Sequence, residues 1–310
     1  MTNVVNKKYA ATVGFFDGVH TGHRFLIAEL KKEAAKRGLK SMVITFKVHP
    51  RKVLHAAYLP QLLTTAEEKQ EQLKSTGVDE VVELDFTVEM AQLTAAEFIE
   101  QILAKQLGVK LLLVGHDHRF GRNREEGFPE YAAYGRQNGM EVIQATRYST
   151  EQFSHISSSE VRNALIKGDI ERANTLLTYP YAFTGYVVTG FQVGKKIGFP
   201  TANLNPVEPD KLIPGIGVYA VLIDWKGNSY KGMMNIGRRP TLDNGDAVSL
   251  EVHIINFDAD IYHQQLKVTF IRKIRDEKKF NSVEALIEQL KSDKEAVLGA
   301  ESGKRIANSE

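Results

Sequence analysis

The chain predicts an α/β doubly wound domain followed by a small antiparallel β-barrel with a C-terminal helix. Apolar strand-like runs alternate with amphipathic helix-like runs through the first half. Beyond "TYPYAF" the helical period gives way to short strands separated by Gly, Asn and Asp turns. One amphipathic run, "SVEALIEQLKSDKEAVL", stands near the end and is expected to cover an open side of the barrel.

The first element is the strand "YAATVGFF". The helix "GHRFLIAELKKEAAKRG" follows, with Phe25, Leu26, Leu30 and Ala34 at helical spacing and Gly38 as its cap, and then the strand "KSMVITF". Together these make a βαβ unit. A helix over Ala66 to Ser75, the strand "EVVEL", a helix over Ala95 to Leu107, the apolar "KLLLVG", a helix over Pro129 to Asn138 and "EVIQAT" continue the alternation. Helices between apolar strands imply a mostly parallel sheet whose ligands bind beyond the carboxyl ends of its strands. "SSSEVRNALIKGDIERANTLL" reads as two short helices broken at Gly168-Asp169, and the domain boundary is set at 180/181, giving domains 1–180 and 181–310. In the second half "TGYVV", "GVYAVLIDW", "SYKGMMNI", "VSLEVHII" and "LKVTFIRKI" are the strands, with Lys226-Gly227-Asn228 joining a hairpin.

Length and composition bound the function. The 310 residues suffice for two ordinary domains, and 43% hydrophobic with 25% charged residues is the make-up of a globular chain. Lys and Arg number 40 against 38 Asp and Glu, scattered among one another, so no basic field draws the chain to nucleic acid and any anion must be held by a local site. No run approaches the ~18 apolar residues of a membrane span, and the start lacks the apolar core of a signal peptide. The absence of cysteine excludes disulfides, thiolate-zinc sites and cysteine nucleophiles, and fits a cytoplasmic protein. No obligate protein partner is evident.

The stretch "TVGFFDGVHTGH" puts His20 in the turn after the first strand and His23 in the first turn of the following helix. Both imidazoles and the N–H groups of the helix start can face the space above the sheet edge, which suits a phosphate. Gly18 and Gly22 remove side chains where backbone approaches a ligand, and Asp17 can brace the turn. The alternatives are histidines used as caps or packing, and a metal site. The metal reading lacks a third ligand at a recognisable spacing, although His116 and His118 of "GHDHRFG" are available as further ligands.

These residues carry a resemblance. "GFFDGVHTGH" resembles the H-x-G-H signature of the nucleotidylyltransferase superfamily, and "ISSSEVR" resembles its second signature, I-S-S-T-x-x-R. The resemblance implies that His20 and His23 bind nucleotide phosphates and stabilise charge at the α-phosphorus. Gly14, Phe16, Asp17 and Gly22 would shape the nucleotide site, and Ser157, Ser158 and Arg162 would hold the outer phosphates. With "TFKVHPRKVL", "LLTTAEEKQEQL" and "VGHDHRFGRNRE", roughly residues 10 to 295 resemble the bacterial bifunctional riboflavin kinase/FAD synthetases. By that resemblance Asp117 is a flavin contact.

"VGKKIGFPTANLNP" raises a second phosphate question. A Walker A loop needs four residues between its glycine and Gly-Lys, and Gly190 and Gly194 enclose three, so a P-loop is excluded. A polar turn leaving a strand is one reading of Gly-Phe-Pro-Thr-Ala-Asn. The other is a cation site, since Thr201 and Asn203 offer the hard oxygens magnesium accepts. The stretch resembles the P-T-A-N motif of riboflavin kinases, which implies that Thr201 and Asn203 coordinate magnesium and nucleotide phosphate. It also implies that Gly190, Gly194 and Lys195 cover nucleotide phosphates, that Glu251 is the general base, and that Arg275 contacts flavin. Independently, Leu250, Val252 and Ile254 form one face of their strand and put Glu251 on the other.

The resemblance has departures: Phe15 where the family often has Asn, Ser159 for Thr, His118 for Phe, Lys195 for Arg and His263 for Gly. Taken whole, the resemblance implies an α/β doubly wound nucleotidyltransferase domain followed by a small antiparallel β-barrel riboflavin kinase domain. The implied reactions phosphorylate riboflavin to FMN and adenylate FMN to FAD, with ATP as co-substrate and Mg2+ as cofactor. The alternative is a flavin- or nucleotide-binding protein with one activity or neither.

Overall fold

The computed structural model describes residues 8–54, 61–116, 118–147, 156–190, 193–238 and 248–300. The chain divides into two compact units, Met1–Ser158 and Ser159–Glu310.

The first unit is a five-stranded parallel sheet. Its strands are β1 (Tyr9–Val13), β2 (Lys40–Phe46), β3 (Glu80–Leu84), β4 (Val109–Val114) and β5 (Glu141–Gln144), in the order β3-β2-β1-β4-β5. The connections carry α1 (Thr21–Lys36), α2 (Pro50–Leu54), α3 (Ala66–Lys74), α4 (Val88–Gln92), α5 (Ala95–Glu97) and α6 (Phe128–Gln137). Side chains alternate across the sheet, as period two requires. Ala10, Val43, Leu111 and Leu113 pack with Ile27 and Leu30 of α1 and Leu73 of α3, while Met42, Ile44 and Leu112 on the opposite face pack with Phe98, Leu103 and Tyr131. The order reverses at β1, so the cleft between the β1 and β4 carboxyl ends is where such a sheet receives a ligand.

One element differs from expectation. After α5 the predicted regular helix widens into a π-helix over Phe98–Gln106, and the Leu107 N–H reaches the Ile102 carbonyl at 3.0 Å. Phe98, Leu103 and Leu107 are all buried, and their spacing of five and then four residues suits the wider turn.

The second unit begins with α7, whose full extent is Ser158–Lys167, and α8 (Ile170–Leu177), broken at Gly168-Asp169 as expected. Both helices are tied to the barrel segment: the Gly215 N–H donates to Leu165 O (2.9 Å), and Asn174 accepts from the Tyr181 N–H (2.8 Å) while donating to Phe270 O (3.1 Å). The barrel strands are β6 (Ala182–Val188), β7 (Ala202–Pro206), β8 (Gly217–Trp225), β9 (Asn228–Arg238), β10 (Val248–Ile254) and β11 (Gln265–Arg275). They close in the order β10-β7-β6-β11-β8-β9. A short helix, α9 (Val193–Lys196), lies between β6 and β7, and α10 (Val283–Gly299) follows β11. Lys226 and Gly227 take φ of 48° and 80°, the left-handed pair that a two-residue hairpin needs.

The strand the sequence does not announce is β7. "ANLNP" reads as a polar turn, yet it pairs with β6 on one side and β10 on the other and so closes the barrel.

Helix α10 is clasped by a buried ion pair. Arg275 donates from Nε and Nη2 to Asp293 at 2.8 to 3.1 Å, and Asp293 is 1% exposed. Val297 adds apolar contact with Ala220 and Met233. Asp293→Ala leaves the guanidinium half-buried without its carboxylate. A loss of about 2–4 kcal/mol, read from urea unfolding of the barrel unit, is the expected result.

Candidate active sites

The first site is built at the carboxyl end of β1. The chain turns there through Phe16, Gly18 and Val19 at φ of 56°, 80° and 39°, a left-handed path that is costly for Phe and Val. Asp17, 3% exposed, holds it: Oδ1 accepts from the N–H groups of Leu63 (2.9 Å) and Thr64 (3.1 Å) and from the Thr64 hydroxyl (3.3 Å). Thr64 Oγ1 in turn receives the Gly18 N–H at 3.1 Å. Gly14 lies under the Phe16 ring, where a Cβ would come within 3.0 Å.

His20 is 4% exposed and caps α1, its Nδ1 accepting from the His23 N–H at 3.4 Å. One N–H expected to face a ligand is therefore consumed by the cap. The two imidazoles stack at 3.7 Å, and Phe16 sets its edge on His23 at 5.1 Å. A Cβ on Gly22 would fall 3.3 Å from the His20 ring and 3.4 Å from the Ile156 carbonyl, a tight fit that would press the ring or the carbonyl back by a few tenths of an ångström. Burial first, then the charges of His20 and His118, hold His23 well below its usual pKa, so it is neutral at pH 7.

Ser158 of the second signature meets the first. Ser158 donates its hydroxyl to the Asp17 carbonyl at 3.0 Å. Ser157 immediately precedes α7, and Arg162 follows on that helix one turn beyond Ser158. Asp117 lies outside the described residues. His118 stands close enough to His23 to act on its titration, a proximity that nothing in the sequence revealed.

Lys69 was missed. It is 2% exposed, donates to Phe46 O at 2.6 Å and lies 4.1 Å over the Phe15 ring. Burial pushes its pKa down to about 8 against the pull of Glu83 and Asp17. In sequence it is one charge among many in "AEEKQEQL" and gives no signal of its own.

The second site forms on β7 and β10. Glu251 faces Asn203 in the strand register and Asn235 on its other side. Asn203 is 6% exposed, and Thr201 is exposed just before β7. A Cβ on Gly190 would lie 2.0 Å from Asn203 Nδ2, and one on Gly194 would lie 2.2 Å from Phe199 O and 3.5 Å from Thr201 Oγ1. The two glycines thus let the backbone at positions 190 and 194 come close to Asn203 and to the Phe199–Thr201 turn. Lys195 is exposed on α9. His253, also unforeseen, bonds Pro200 O through Nδ1 at 2.8 Å and meets the Phe199 ring at 5.3 Å, fixing the turn that presents Thr201. The alternation that singled out Glu251 puts His253 on the same face. Arg275 is not in this group: it is spent on Asp293 and on Asp276 O, so a flavin contact would have to use the N–H groups that this clasp leaves.

The sequence model of the FAD synthetase family matches residues 2–160, and that of riboflavin kinase matches residues 177–299. A bifunctional riboflavin kinase/FMN adenylyltransferase from Listeria monocytogenes is 37% identical over 94% of this chain and 91% of that protein. The Escherichia coli K12 protein of the same name is 40% identical over 91% of this chain and 89% of that one. The chain belongs to this bifunctional family. A crystal structure described as a macrolide-efflux protein from Streptococcus pneumoniae superposes with a TM-score of 0.84 at 33% identity, covering 96% of each chain. As a riboflavin kinase/FMN adenylyltransferase, the chain combines two family models that meet near α7 and α8.

Two outcomes are expected. Gly190→Ala should displace the Asn203 carboxamide and lower FMN formation by about 100-fold, measured as the initial rate with riboflavin and ATP. Lys69 deprotonates near pH 8 when folded and near 10.5 when unfolded, so between those values the unfolded chain holds the extra proton and stability rises with pH. Lys69→Met removes that gain. The shift in urea midpoint between about pH 7.5 and about pH 9.5 should differ between variant and parent by the missing contribution.

Proposed function

We propose that each half performs one step with its own residues. The chain phosphorylates riboflavin with ATP to give FMN and ADP, and adenylates FMN with ATP to give FAD and pyrophosphate. We assign residues 1–180 to adenylyl transfer and 181–310 to the kinase, in the cytoplasm. The observation that carries the assignment is the joining of signatures within each half: Ser158 hydrogen-bonded to Asp17, and Glu251 opposite Asn203.

In adenylyl transfer an FMN phosphate oxygen attacks the α-phosphorus of ATP while the bond to the pyrophosphate oxygen breaks. His20 and His23 clamp the α-phosphate as its charge builds, and Ser157, Ser158 and Arg162 take the outer phosphates that leave. Ser158 donates its one O–H to the Asp17 carbonyl, so we give it the positioning of the loop as well. Gly14, Phe16, Asp17 and Gly22 shape the cavity edge, and Asp117 remains the flavin contact that the family implies for this half, as Arg275 does for the kinase half. Fixed donors in a water-poor cleft stabilise developing charge without reorganising, which is where this site gains its rate.

In the kinase, Glu251 takes the proton of the ribityl hydroxyl as its oxygen attacks the γ-phosphorus and ADP departs, with Gly190, Gly194 and Lys195 over the nucleotide phosphates. Thr201 and Asn203 fit magnesium: both present hard oxygens, in a cradle that a Cβ at Gly190 would fill. Among the described residues no group of three or more His, Cys, Asp or Glu could hold a metal, so the ion would rest on these two residues and the nucleotide phosphates. Bound there, it neutralises phosphate charge.

A time course with riboflavin, ATP and magnesium, resolved by chromatography, should show FMN first and FAD after it. His23→Ala should reduce FAD formation at least 100-fold and spare FMN. Glu251→Ala should cut FMN formation by about 100- to 10,000-fold and spare FAD formation from added FMN. A folded variant that loses both steps would contradict separate sites.

A further inference from the structure

His118 carries an unmet demand. Its Nε2 is buried with no hydrogen-bond partner among the described residues, and the same holds for Nδ1 of His23. Leaving such a group dry and unpaired costs about 1–3 kcal/mol, so each one calls for a partner such as a water, an ion or a ligand. The ring is held in place by backbone. The His118 N–H donates to Gly115 O at 3.0 Å, directly beyond the carboxyl end of β4, and a Cβ on Gly115 would touch the His118 Cβ at 3.5 Å. Phe120 lies beside it at 6.1 Å.

The surroundings favour an anion. Burial and then the charge of Arg124 lower the His118 pKa to about 4, and His118 itself acts on His23, which also feels His20. The ring is thus a neutral imidazole, able to carry a hydrogen on Nε2 and donate it, with the Arg124 cation and the His23 imidazole acting on the same surroundings. A phenylalanine at this position would match the bulk of the ring and supply no donor.

We propose that His118 is a third imidazole of the adenylyl-transfer site and donates a hydrogen bond from Nε2 to a phosphate oxygen of the bound nucleotide, beside His23. The proposal rests on the reading of His20 and His23 as the phosphate clamp, and deepens it. It makes the nucleotide grip of this chain richer by one directional donor.

The test compares His118→Phe, which keeps the bulk, with His118→Gln, which keeps an N–H donor. In FMN adenylylation His118→Phe should raise the KM for ATP about tenfold or more and weaken inhibition by inorganic pyrophosphate to the same extent, with the KM for FMN unchanged. His118→Gln should recover part of the loss. In the unmodified chain, pyrophosphate should shift the His118 ring-nitrogen resonances, and this measurement stands even if the variants fold poorly. Unchanged ATP and pyrophosphate parameters, or a loss confined to FMN, would overturn the proposal, as would an absence of any resonance shift. His23→Ala separates the two levels: retained FAD formation there would remove the clamp reading itself, whereas its loss with an unaltered His118→Phe would remove only the inference about His118.

Discussion

A carboxylate taken out of water must be met by donors, and in each half one such group gathers the chain around it. Asp17 draws the 63–64 backbone, 46 residues away, onto the turn that carries His20, while its own carbonyl receives Ser158. Asp293 draws Arg275 and Gln289 together and thereby seats α10 on the barrel. Neither residue needs to touch a substrate to matter. Without the Asp17 carboxylate the left-handed path through Phe16 and Val19 loses its tie to the 63–64 backbone, and with it part of the frame around the stacked imidazoles.

The two reactions handle the same chemical group by different means. The proposed adenylyl-transfer site would rely on buried rings and on backbone brought close at Gly22, with desolvation keeping His23 uncharged. The proposed kinase site would rely on small oxygen ligands at the start of β7 and a carboxylate on β10, a set suited to a hydrated divalent ion. His253 links them by holding the Pro200 carbonyl.

The sheet was legible because its strands are apolar throughout and its helices keep one greasy face, so periodicity alone separates them. The closing strand β7 was not, because its residues are chosen for the site: Asn203 is buried through ladder pairing and the absence of a Gly190 side chain, which leave no apolar pattern to read. His20 and His23 could be found from spacing, whereas Lys69 and His118 acquire their meaning only when distant strands bring Phe15, Phe46 and His23 to them. His263 takes φ of 60°, a conformation glycine enters freely and histidine adopts at a cost, so the glycine that the resemblance implies at this position would relieve backbone strain that the sequence does not announce.

Strand β11 is the last strand of the chain, yet it lies between β6 and β8. A nascent polypeptide that has not reached Gln265 therefore presents two unpaired edges, while the five strands of the N-terminal sheet are already complete by Gln144. During synthesis the half that consumes FMN can be assembled before the half that makes it. Ribosomal truncation products ending short of β11 would then hold an intact adenylylating sheet beside an open, adhesive barrel, and the order of biosynthesis runs opposite to the order of the chemistry.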